Sequence, residues 1–467
     1  MNRAERSLKG EKEMNQKVAE LIDSYRDEFV ETLKRWVQVP SVKGEPAEGA
    51  PFGAEVRSML DLALDTCREM GFAVRNFDGY AGDATLGTAT ETLAVLGHLD
   101  VVPVGDGWTK PPFGAVVEDG KIYGRGTNDD KGPTLAALFA MKAIREAGIP
   151  LKKSIRAILG CDEECDWGCM KYYTAHTEMP EMGFSPDASF PLINTEKGMI
   201  AFTLRFPAPE QGLKVIRMAT GERTNVIAGE SEALLEGGKE LADQVADFAR
   251  QTGWDYRAEV TEEGVLVRAI GIPGHSAFPE GKRSAIGMML LLLRALGATG
   301  GLATLADKVG LETDGKSLGC AVQDAVSGAL TNNMGILRLE DGNWVGTLDF
   351  RCPVEADQQE LIRNVRESLP GIEVTVESVK PPHHVPAESE LVTALLGAYE
   401  EETGLKGEAM AIGGGTYAKV LKQGVAFGAV FPDEEDLAHL ANEYERIDSL
   451  MLAMKIYANG MLRLAAE

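Results

Sequence analysis

The sequence predicts an α/β fold: one domain on a mixed, largely parallel sheet, with an α+β domain inserted into it. Three observations lead there. Apolar, β-rich runs alternate with amphipathic helical runs over roughly the first 190 residues, the pattern of strands joined by crossover helices. From about residue 198 the texture changes to alternating strands with helices between them. Near residue 385 the first texture returns. Residues 14–197 and 383–467 are therefore expected to form one domain, and 198–382 an inserted α+β domain.

Each element follows from its residues. In 15–37, Val18, Ile22, Tyr25 and Phe29 recur at helical spacing, so one amphipathic helix is expected. "ETLAVLGHLDVVPV" (91–104) reads as a buried strand ending near His98. "PTLAALFAMKAIREAG" (133–148) opens on Pro133 and closes on Gly148, as helices do. "KKSIRAILGC" (152–161) is a strand whose carboxyl end delivers an acidic cluster. In the inserted part, "GMIAFTLRF", "GVLVRAIGIPG", "NWVGTLDFRCP" and "GIEVTVESV" alternate as strands. "SELVTALLGAYEEETG" then reads as a helix and "GVAFGAVFP" as a strand. Ligands gather at the carboxyl ends of strands in such sheets.

Composition narrows the function classes. The chain has 467 residues, enough for two or three domains; 44% are hydrophobic and 25% charged, which is ordinary for a folded protein. No apolar run approaches the roughly 18 residues of a membrane span. The first 20 residues hold no apolar core, so no secretory signal is expected and the cytoplasm is the expected location. Six cysteines are too few for a disulfide framework. A formal net charge of −25 disfavours nucleic acid and anionic membranes as partners. Met14 begins the helical pattern, and "GEKE" before it can be encoded by a purine-rich stretch. The natural start is expected there, with residues 1–13 packed against nothing.

Chemistry-bearing residues cluster at strand ends. "GHLDVVPVGDGW" sets His98 and Asp100 on one side of a strand, where a carboxylate can orient a ligand imidazole. "YGRGTNDDKGP" puts Asp129 and Asp130 at a turn before a helix, either as an N-cap or with one carboxylate bridging two cations. In "ILGCDEECDWGC" the adjacent Glu163 and Glu164 project differently, so one can bind metal while the other acts as a base. "FSPDASFP" adds Asp187 and "DLAHLANEY" adds His439, one of only six histidines. A thiolate cage would need three or four cysteines. Cys161, Cys165 and Cys169 have no second cluster to complete it.

Further candidates lie outside this group. "GIPGHSAFPEGKRSA" carries His275, on its own a loop histidine, and "GERTNVIAGE" carries Asn225. Arg351 in "DFRCP" suits a substrate carboxylate, or simply pairs with Asp349. "IGGGTYAK" offers backbone amides at Gly414, Gly415 and Thr416 before an expected helix, better suited to a substrate carboxylate than to a phosphate.

Taken together, "GHLDVVPVGDGW", "GRGTNDDKGP", "FSPDASFPLINTEKG", "PPHHVP" and "IGGGTYAK" resemble the co-catalytic zinc peptidases related to carboxypeptidase G, aminoacylase and succinyl-diaminopimelate desuccinylase. Within them the likeness is to the bacterial dipeptidase V, carnosinase-like branch, from about residue 14 to the C-terminus. The resemblance implies two zinc ions per subunit, though manganese or cobalt would also fit the donors. His98 and Asp187 would hold one, Glu164 and His439 the other, and Asp129 would bridge them. Asp100 would orient His98, Glu163 would be the base, and His275 would stabilise the oxyanion. The Asp129–Asp130 peptide bond would be cis. The implied reaction is hydrolysis of dipeptides with a free N-terminus by a zinc-bridging hydroxide. The alternatives are an N-acyl amino-acid amidohydrolase and an inactive metal-binding scaffold, the latter disfavoured by the intact Glu163. Small peptides are the expected partners. A monomer is expected because the long insertion would replace a partner's lid and let His275 act within its own chain.

Overall fold

The computed structural model describes residues 3–209 and 212–467, with side chains from residue 14 onward. The expectation that residues 1–13 pack against nothing lies outside these side chains. Two compact units form: one of Met1–Asn194, Val385–Met410 and Gly415–Glu467, the other of Thr195–His384 and Ala411–Gly414. Among the described residues, no helix is long and apolar enough to cross a membrane.

The first unit is built on a mixed sheet. Its order is Ala73–Phe77, Ala81–Leu86, Ser154–Gly160, Thr92–His98, Met182–Ser185, Gln423–Ala426 and Leu192–Glu196. The four strands from Ser154–Gly160 to Gln423–Ala426 run parallel, and the two on the Ala73 side are antiparallel. The central strands are covered on both faces, which is why they read as apolar runs rather than alternating ones. Six of the seven residues of Thr92–His98 are buried. Helix Lys131–Ala147 is buried along nearly its whole length and ends on Gly148, whose φ of 69° is the left-handed cap that glycine adopts without strain. It starts two residues before Pro133. Helix Ile447–Ala465 packs against it and against Glu390–Thr403.

The single helix expected over 15–37 is two, Arg3–Ser24 and Arg26–Val37, broken at Tyr25. The Ser24 hydroxyl bonds back to the Leu21 carbonyl at 2.6 Å, the local competition that serine offers a helix end. The break turns Tyr25 and Phe29 onto the same ring, Phe139, with centroids 5.8 and 5.4 Å away. The buried Lys131 ammonium donates to the carbonyls of Trp36 (3.1 Å) and Val39 (2.7 Å), fastening the end of the second helix. Burial lowers this lysine to about 7.

The second unit has one eight-stranded sheet, ordered Asp255–Val260, Val265–Ile270, Glu230–Leu235, Val215–Thr220, Thr331–Glu340, Asn343–Cys352, Gly198–Pro207 and Glu373–Lys380. Its two four-stranded halves meet through the pairs Ala219↔Arg338 and Thr220↔Leu337. One apolar core that includes Phe202, Leu292 and Trp344 runs beneath both halves. The segment 411–414, assigned from sequence to the catalytic part, belongs here instead. The Ile412 carbonyl accepts the Lys197 amide, and the Gly413 carbonyl accepts from Arg351.

Candidate active site

Three parallel strands end side by side and deliver the site. Thr92–His98 ends in His98, Ser154–Gly160 runs into Asp162, Glu163 and Glu164, and Asp187 follows Met182–Ser185. The turn before helix Lys131–Ala147 adds Asp129, and the loop before Tyr444 adds His439. The Asp129–Asp130 peptide bond is cis, as the resemblance implies.

These residues converge as two triads that share Asp129: His98, Asp129 and Asp187, and Asp129, Glu164 and His439. Within each, donor atoms lie within 4.8 Å of one another. His98 Nε2 is 2.8 Å from Asp129 Oδ1 and 3.8 Å from Asp187 Oδ2. His439 Nε2 is 3.1 Å from Asp129 Oδ2 and 3.0 Å from Glu164 Oε2. Asp129 thus turns one oxygen to each histidine.

The charges show what such a site requires. Burial, reinforced by Asp187, pushes the Glu163 carboxyl well above the ordinary range. Burial and then Asp129 raise Glu164 to about 7 and Asp187 to about 6. Burial opposes the His439 imidazolium, but hydrogen bonds to Asp129 and Glu164 outweigh it and raise this histidine to about 11. Burial likewise opposes His98, and its bonds to Asp100, Asp129 and Asp187 raise it well above the usual value. Burial would raise Asp129, yet the two imidazoles hold it far below the carboxylate range. The clustered carboxylates thus raise one another and both imidazoles, the pattern of a site that calls for positive charge. Two divalent ions would balance Asp129, Glu163, Glu164 and Asp187 with both imidazoles neutral, so the donor set fits a pair of zinc ions.

Asp100 differs in detail from the expectation. His98 Nδ1 bonds the Asp100 backbone carbonyl at 2.9 Å, while the carboxylate is 3.6 Å away. The carboxylate oxygens instead accept the Glu163 amide (3.1 Å) and the Glu164 amide (3.2 Å). One residue thereby fixes both the histidine and the double-glutamate turn. Asp130 occupies the N-cap position without a capping bond. Its buried Oδ2 accepts from the His98 amide at 3.2 Å and the Thr134 hydroxyl at 2.7 Å.

No cysteine joins either triad among the described residues. Burial pushes Cys161 well above the usual thiol range and Cys169 to about 12, so both stay protonated and poor as ligands. Cys169 Sγ instead contacts the Tyr417 hydroxyl at 2.8 Å.

In the second unit, exposed His275 sits on a short strand paired to Val226. Its Nδ1 accepts the Ala277 amide at 3.1 Å. Nε2 lies 3.4 Å from the Asn225 side-chain amide. Arg351 is buried and takes the alternative the sequence left open: Nε pairs with Asp349 at 2.8 Å and Nη1 donates to the Gly413 carbonyl at 2.7 Å. Asp349 also accepts from the Ser276 hydroxyl at 2.5 Å, joining Arg351 to the His275 turn. Gly414 ends this unit's returning segment, and Gly415 and Thr416 belong to the first unit. The helix expected after the glycines is a four-residue 3₁₀ turn, Tyr417–Val420, and the Thr416 hydroxyl accepts from Ala418. So short a turn has little dipole to offer an anion.

Sequence reasoning named Asp130 only as a possible N-cap and missed Arg125 and Glu443. Glu443 lies four residues after His439, and its burial is the feature that a sequence does not display.

Residues 94–463 match the profile of Peptidase family M20/M25/M40. The Bacillus subtilis (strain 168) protein YtjP, whose dipeptidase name is provisional, is 38% identical over 457 residues, spanning 94% of this chain and 98% of that protein. The Beta-Ala-Xaa dipeptidase of Lactobacillus delbrueckii subsp. lactis is 33% identical over 463 residues, spanning 96% and 98%. Human carnosine dipeptidase 1 superposes with a TM-score of 0.58 at 20% identity, over 96% of this chain and 99% of that one, a likeness of fold. The site's geometry and these matches agree: the chain belongs to peptidase family M20/M25/M40.

Proposed function

We propose that the chain hydrolyses dipeptides with a free N-terminal amine, using two zinc ions and Glu163 as general base. The shared Asp129, where the two carboxylate–imidazole triads meet, is the observation that supports this most. Two cations held there would polarise the peptide carbonyl and lower the pKa of a water between them. Glu163 accepts a proton from the attacking water and passes it to the departing amine. Its carboxyl is pushed up by burial and by neighbouring acids. Nearby cations would favour its ionised form, as a group that acts first as base and then as acid requires. Glu164 serves as a ligand beside His439, and Asp100 keeps the two glutamates in register through their amides. His275 is the proposed oxyanion donor. Asn225 and the Gly414–Thr416 backbone are the proposed substrate contacts, and Arg351, held by Asp349 and the Gly413 carbonyl, supports them from behind.

The relatives' names support dipeptides over longer chains. An N-acyl amidohydrolase would use the same chemistry on a blocked amine. The test is turnover of zinc-loaded protein on a panel of dipeptides, each free and N-acetylated. Free dipeptides should be hydrolysed, and their acetylated forms at least about 10²-fold more slowly, as when a site's polar groups lose the substrate group they recognise. The reverse order would make the chain a deacylase.

A further inference from the structure

Arg125 and Glu443 form a 2.6 Å ion pair whose side chains are 1% and 0% exposed. A buried pair is weak evidence of stabilisation, because desolvating two charges can cost more than their attraction returns. What sets this pair apart is where its other bonds go. Glu443 Oε1 accepts the backbone amides of Gly126 and Asn128, both at 2.9 Å, and of Asp129 at 3.3 Å. Arg125 donates to the carbonyls of Leu440 at 3.3 Å and His439 at 3.4 Å. The carboxylate therefore holds the turn that aims Asp129, and the guanidinium holds the loop that aims His439.

That loop needs holding. His439 has φ of 66° and Asn442 φ of 59°, left-handed conformations uncommon outside glycine, though histidine and asparagine adopt them more readily than most residues. Among the described residues, none of the pair's bonds reaches His98, Glu164 or Asp187. We infer that Arg125 and Glu443 are positioning residues for the metal position formed by Asp129, Glu164 and His439. They would set its affinity separately from that of the position formed by His98, Asp129 and Asp187. The first position has two of its three donors aimed by the pair. The second has only the shared Asp129.

This inference rests on the two-metal reading above, and the experiment separates the two. Zinc is titrated into metal-free full-length protein against a competing chelator, giving two affinities for the unaltered chain, for Glu443→Gln, and for the double substitution Arg125→Gln with Glu443→Gln. The double substitution removes both charges together, so no lone ion is left buried. One zinc affinity should stay within about threefold of the unaltered value and the other should fall roughly 10–100-fold, as when the partners behind metal ligands are lost. Unchanged affinities, or two affinities falling by the same factor, would overturn the inference. Loss of the metal-free fold in both variants would overturn it too, by making the pair a stability element. If the unaltered chain bound no zinc, the two-metal reading itself would fail.

Discussion

At the scale of single residues, the site's main property is the crowding of carboxylates and imidazoles around Asp129. His439 must lose its proton to ligate, and its pKa in the metal-free protein is raised to about 11. Zinc binding at neutral pH should therefore release protons, and affinity should rise with pH. Calorimetry in two buffers of different ionisation enthalpy measures this release; a release of zero would contradict the assignment. The same shifts fix a stability trend. Glu164 and Asp187 hold their protons more tightly when folded, at about 7 and 6, than their ordinary values of 4.5 and 3.8. Folding thus binds extra protons between roughly pH 4 and 7, and the metal-free protein loses stability as pH rises through that window. The rise in melting temperature on adding zinc should accordingly be larger at pH 8 than at pH 5.5. Asp100 yields a third expectation. Asp100→Ala frees the amides of both glutamates, so turnover should fall about 10²-fold, as misplacement by an ångström does, while metal content falls less. The members of the two triads were legible because histidines are rare, six in 467 residues. Asp130 and Glu443 were not. Asp and Glu together number 72, and only the tertiary fold distinguishes a buried acceptor of backbone amides from a solvated acid.

At the scale of elements, the active-site strand and the helix behind it approach closely. A Cβ on Gly97 would lie 1.8 Å from Thr134 Oγ1 and 3.0 Å from Asp130 Oδ2. Gly97→Ala should therefore force apart the strand ending in His98 and the helix carrying Thr134. The expected cost is about 1–3 kcal/mol of stability, the range for overpacking a core, with weaker zinc binding because Asp130 receives the His98 amide. Denaturant unfolding with and without zinc checks both. The strands at 92–98 and 154–160 were legible from their apolar runs, and the ends of helix 131–147 from Pro133 and Gly148. The break at Tyr25 was not. Its residues keep helical spacing across it, and the ring on which Tyr25 and Phe29 pack, Phe139, lies more than a hundred residues away.

For the whole molecule, the insertion was legible as a change of texture near residue 198 and its reversal near 385. The return of 411–414 to the second unit was not, because it depends on the bond from Arg351 to the Gly413 carbonyl. The proposal that His275 acts within its own chain predicts a monomer whose specific activity is constant on dilution. Sizing that gave an obligate dimer, losing activity as it dissociated, would refute this. The central claim is that the folded chain assembles a two-metal site in which Glu164 is a ligand and Glu163 the base. The direct measurement is zinc content and dipeptide turnover on the same preparations of the unaltered chain, Glu163→Gln and Glu164→Gln. Glu163→Gln should keep two zincs while turnover falls at least about 10²–10⁴-fold. Glu164→Gln should lose zinc from one position and recover some activity in excess metal. A Glu163→Gln protein that lost a zinc, beside a fully loaded but inactive Glu164→Gln protein, would reverse the assignment.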